Sequence, residues 1–194
     1  MGKDMKYTNK FLIGVVAAFA LASCGGSSNS EPADSSAVVS VEFNDDDVMF
    51  AQMMIPHHEQ AIEMSDIALD PTVMAGDEVK ALATEIKGAQ DPEIQKMTQF
   101  LTDWYQSLTM DDSMGHGDMM SGMLTADQLA NLSTLRGAEF DREWMLAMIA
   151  HHEGAIEMAL AVLQDGKNSA VRDLANSIIN AQEAEIAEMR KLLG

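Results

Sequence analysis

Two adjacent histidines occur twice in this chain, each time inside an apolar stretch. "MMIPHHEQAIEM" occupies positions 53–64 and "AMIAHHEGAIEM" positions 147–158. An imidazole has two ring nitrogens, and a buried polar atom left without a partner costs roughly 1–3 kcal/mol. Four such rings on apolar faces therefore need partners. Imidazole is the commonest metal-binding side chain, so a bound ion would supply them.

Residues three and four apart share one face of a helix. Phe50, Met54, His57, Ala61, Met64 and Ala68 form one stripe, and Ala51, Ile55, His58, Ile62, Ser65 and Leu69 the next. Gln52, Pro56, Glu59, Glu63, Asp66 and Asp70 lie opposite and belong to water. The second copy gives Trp144, Met148, His151, Ala155, Met158 and Val162, then Met145, Ile149, His152, Ile156, Ala159 and Leu163. Both histidine pairs thus face inward. The structural alternative is a core histidine satisfied by a hydrogen bond, for instance from Gln90 or Gln182 on the partner helices.

The ligand types select the metal. Di-iron bundles place Glu-x-x-His on one face, but here Met54 and Met148 stand three residues before His57 and His151. Thioether with imidazole suits Cu(I), and by the same softness Ag(I), better than iron or magnesium; Cu(II) is served by the histidines. Met64 and Met158, two turns on, are further candidates. Glu59 and Glu153, on the water face, are weak ones. A second group lies in "MDDSMGHGDMMSGM", 110–123, where Met110, Met114, His116, Met119, Met120 and Met123 sit among Gly, Asp and Ser. No core pattern accounts for them, and they read as a flexible soft-metal capture loop distinct from the bundle.

The elements that position these groups are helical. Periodicity runs from about 45 to 69 and 77 to 105. A Thr125–Gln128 capping box opens a short helix to about 135, and long patterns cover 138–165 and 169–192. The segments repeat. Asp47, Phe50, Met54, His57, His58 and Glu59 align with Asp141, Trp144, Met148, His151, His152 and Glu153 at an offset of 94. Ala83, Ile86, Gln90, Glu93, Ile94 and Met97 align with Ala175, Ile178, Gln182, Glu185, Ile186 and Met189 at 92. Two helical hairpins, 45–105 and 138–194, therefore bury their apolar sides as an all-α antiparallel four-helix bundle, with the Met-rich segment 106–124 and a short helix between them. Pro56 is Ala150 in the second copy, so the two pairs need not be equivalent.

Residues 1–23 read as a signal peptide, with Lys3, Lys6 and Lys10 ahead of an apolar run, Phe11 to Leu21. That run is too short to span a bilayer as a stable helix. "LASC" at 21–24 resembles a bacterial lipobox, in which Cys24 is lipidated, and 24–44 then forms a flexible tether. The protein is thus expected in a bacterial envelope, its domain in the periplasm or outside the cell, touching membrane only through that lipid. Cys24 is the only cysteine, so no internal disulfide forms. The formal charge is −19, and −21 without residues 1–23, which argues against nucleic acid and anionic surfaces as partners and favours cations.

The two "HHE" segments, "GAEFDREW" before the second, and "AQDPEIQKM" and "AQEAEIAEM" after each resemble the domain-of-unknown-function family 305, over residues 45–193. That family includes CopM-like periplasmic copper-binding proteins. The resemblance implies a ferritin-like bundle that binds copper through Met and His and helps an envelope tolerate the metal; copper-handling proteins of the envelope are the partners such a role would call for. The expected function is copper sequestration or handover without catalysis. The alternatives are a metal-dependent oxidase acting on Cu(I) and a metal-free envelope scaffold.

Overall fold

The computed structural model describes residues 42–110 and 120–194, and every regular element among them is helical. Helix α1 runs Asp45–Leu69, α2 Asp77–Asp103, α3 Ala126–Leu132, α4 Gly137–Asp165 and α5 Ser169–Leu193, with a 3-10 turn at Pro71–Val73. The signal peptide, Cys24 and nearly all of the tether lie outside the described residues, as do Met114, His116 and Met119. Asn44 caps α1 in a box with Asp47, and Thr125 caps α3 in a box with Gln128. Helix α3 stops at Leu132, short of the expected 135. Thr134 and Leu135 instead donate to Asn131 and Leu132 in tight turns.

Helix α1 packs on α2 and α4 on α5, and the two hairpins meet through α1 and α4. A reciprocal pair of aspartates ties them together. The Asp47 carboxylate, fully buried, accepts from the backbone N–H of Lys167 at 3.1 Å and of Asn168, which caps α5, at 3.0 Å. Asp141, its repeat mate, accepts from the N–H of Gly76, which caps α2, at 3.0 Å. Each hairpin's first helix thus holds the turn of the other. Asp47→Ala would strand several backbone donors and is expected to destabilise the fold by roughly 2–4 kcal/mol. Urea unfolding followed by circular dichroism checks this, and a loss below about 1 kcal/mol would show that the tie contributes little.

The core is divided. One apolar half gathers Ala61, Met64 and Ala68 with Leu82, Ile86, Phe140, Trp144, Met148 and Met189. The other gathers Phe50, Met54 and Ile55 with Met97, Leu101, Ala155, Val162, Leu174 and Ile178. Between them each long helix contributes buried polar residues at mid-length: His57 and His58, Gln90, His151 and His152, and Gln182. A polar layer therefore crosses the middle of the bundle.

Candidate metal centre

All four imidazoles of this layer are fully buried. The rings of His57 and His151 meet across α1 and α4, with centroids 3.8 Å apart and planes inclined by 40°. His58 Nε2 lies 2.9 Å from Glu93 Oε2 of α2, and His152 Nε2 lies 2.7 Å from Glu185 Oε2 of α5. His57 Nε2 lies 3.2 Å from the carbonyl oxygen of Ser121. Carboxylates and carbonyls only accept, so in each of these three contacts Nε2 carries the hydrogen. The neutral ring then keeps its lone pair on Nδ1. A carboxylate that orients an imidazole through its far nitrogen is a familiar support for metal-ligating histidine.

The Nδ1 atoms of all four histidines have no hydrogen-bond partner, and neither does Nε2 of His151. Both ends of the Gln90 and Gln182 amides are also unpaired. Among the described residues, every buried side-chain nitrogen or oxygen without a partner belongs to these six residues. Native cores seldom leave even a few such atoms. The expected alternative, histidines satisfied by Gln90 or Gln182, is therefore corrected. The carboxylates one turn farther on reach the imidazoles instead, from positions that stay partly hydrated and so avoid the full cost of burying a charge.

Burial is the main reason that the His57 pKa falls to about 4; the Ser121 bond opposes the shift and the neighbouring His58 and His152 add to it. His151 is pushed well below its ordinary value, first by burial and then by the other three rings. Both rings are neutral at pH 7, the state that a metal requires.

No three His, Asp or Glu side chains among the described residues converge as a ready ligand set. Nitrogen and oxygen donors alone do not complete a site here, whereas sulfur stands close by. Met54 and Met148, both fully buried, belong to opposite halves of the core and flank the layer from either side. Met97 and Met189, one turn beyond Glu93 and Glu185, are also fully buried. Periodicity alone does not mark these two methionines or the two glutamates as site residues. Their signal was their recurrence at the offset of 92. Met64 lies deep in one apolar half and Met158 is half-buried against the other, both outside the polar layer. Glu59 is exposed, and Glu153 pairs with Arg190 at 2.6 Å.

Met110, Met120 and Met123 are partly buried. The described end of their segment is not separate from the bundle. Gln60 grips Leu124 from both sides, accepting from its N–H at 2.7 Å and donating to its carbonyl at 2.8 Å. The Ser121 carbonyl presses on α4 at Gly154, where a Cβ would lie 1.8 Å from it. Gly122, at φ +82°, lies against the Ala150 carbonyl, where a Cβ would sit at 2.2 Å. One connecting segment can reach only one His pair in this way. The pairs are accordingly unequal: His57 has a backbone partner and His151 has none.

The molecule is thus a helical bundle of two hairpins, each bearing an inward pair of histidines. The model for the Domain of unknown function (DUF305) matches residues 47–193, and the chain belongs to that family. It resembles the solved putative secreted DUF305 protein from Streptomyces coelicolor at 31% identity and TM-score 0.70, covering 76% of this chain and 91% of that one. The DUF305 fragment from Deinococcus radiodurans aligns at 32% identity and TM-score 0.69, covering 78% and 97%. CopM in its Cu(II)-bound form aligns at 32% identity and TM-score 0.63, covering 76% and 95%, and CopM is also solved with Cu(I) and with Ag. No curated protein sequence matches.

Proposed function

We propose that this protein binds copper in a bacterial envelope, holding Cu(I) for sequestration or handover, with Ag(I) and Cu(II) as further cargo and no turnover. The observation that carries this reading is the concentration of unpartnered buried atoms in one layer, flanked by buried thioethers. Four buried imidazoles with unpartnered ring nitrogens, beside Met54 and Met148, form a soft donor set. The CopM neighbour, solved with copper and silver, supports the same cargo. The acidic surface draws cations toward the domain. Tag-free protein titrated with Cu(I) against a colorimetric chelator tests the reading. The protein is expected to take copper from the chelator, and a chelator that keeps all of its copper would overturn the proposal.

Export and attachment form a separate part of the proposal, resting on "LASC" and the Gly/Ser tether. Cys24→Ala is expected to move the protein from the membrane fraction to the soluble envelope fraction. If the parent is already soluble after detergent-free lysis, the lipid anchor is wrong.

A further inference from the structure

A cavity of about 260 Å³ opens between α1 and α4, and three thioethers line it: Met49 and Met53 from α1 and Met158 from α4. Met49 and Met53 are one turn apart on one face, which places their side chains side by side. They grade from outside to inside: Met49 is 36% exposed, Met53 6%. Asp46, Glu157 and Asp165 also line the cavity and, among the described residues, no lysine or arginine does, so its field favours a cation.

The repeat shows that packing does not require the sulfurs of Met49 and Met53. The positions matching Met49 and Met53 in the second hairpin hold Glu143 and Ala147, and the match of Met158, Met64, is sealed in the core. The bundle therefore accepts a carboxylate and a methyl group where α1 presents two thioethers to one cavity. Ser121 and Gly154 form part of the same wall, and the Ser121 carbonyl accepts from His57 Nε2. Ser121 thus touches both the cavity and the polar layer.

We propose that this cavity is a second soft-metal site, in which Met49, Met53 and Met158 bind Cu(I) or Ag(I) outside the buried histidine layer. The proposal rests on the reading of a soft ion as cargo. A thioether set suits a monovalent soft ion and discriminates against magnesium and calcium.

The test adds Ag(I) to the full chain carrying ¹³C-methyl methionine and ¹⁵N histidine, followed by NMR. The methyl signals of Met49, Met53 and Met158 are expected to shift together. Changing all three to Leu, close in volume, should remove one bound Ag(I) by native mass spectrometry while the imidazole signals still respond. If the imidazoles respond and these three methyls do not, the second site is wrong and the copper-binding reading stands. If neither responds, both fall. The measurement on the parent chain needs no variant to fold.

Discussion

With Met54 and Met148 both changed to leucine, the bundle is expected to fold like the parent and to lose most of its buried-site affinity for Cu(I). Leucine replaces methionine at nearly constant volume, so the change in stability should stay below about 1.5 kcal/mol. Both residues are fully buried beside the polar layer, and the substitution removes only the sulfur. Removing an outer-shell partner of a metal typically costs 10–100-fold in affinity, so losing two donors should exceed about 100-fold. Cu(II), held by imidazole, should be weakened far less. The titration is read with Met110, Met114, Met119, Met120, Met123, Met49, Met53 and Met158 also changed to leucine, so that the sulfurs of the connecting segment and the outer cavity do not mask the loss. Unchanged Cu(I) affinity in that background would remove sulfur from the buried site.

The second large effect is acid sensitivity of the metal-free protein. The His57 pKa falls from 6.5 to about 4 on folding, so between those values the unfolded chain binds the proton more readily. Stability is therefore full above pH 6.5, declines as the pH drops below it, and loses nothing further from this residue below about 4. For His57 alone the loss between pH 7 and pH 5 is about 2 kcal/mol, a range above the ordinary carboxylate titration. His151, shifted the same way by burial and the neighbouring rings, deepens it. Urea unfolding of chelated protein at the two pH values measures the effect. Adding Cu(I) at pH 7 should raise the midpoint, because an ion that binds only the folded state stabilises it. A midpoint that does not move between pH 7 and 5 would mean that these rings are not buried neutral.

Much of this was legible in the sequence because it is periodic. The inward placement of His57, His58, His151 and His152 follows from steps of three and four. The hairpin repeat follows from two constant offsets, and the start of α3 from the Thr125–Gln128 box. What stayed hidden depends on contacts between helices. Gln90 and Glu93 lie on adjoining faces of α2, and periodicity favours the uncharged residue as the inner partner. The bundle instead lets Glu93 reach His58 from the water's edge. Asp47 and Asp141 were visible as matched letters, and Asp47 reads as an ordinary N-terminal acid until the opposite turn is seen against it. The docking of Ser121 on His57 had one local signal, the glycines at 122 and 154. Their need appears only when two backbones approach.

The most direct test of the central claim is an anomalous-scattering map of crystals of the Cu(I)-loaded protein, collected at the copper edge. A peak is expected inside the bundle, in the layer between the two apolar halves of the core. It should touch Nδ1 of at least one inward imidazole and a sulfur of Met54 or Met148, with Glu93 and Glu185 still holding His58 and His152. Copper only on surface methionines or on the 110–123 segment, with the Nδ1 atoms of the four imidazoles still unpartnered, would contradict it.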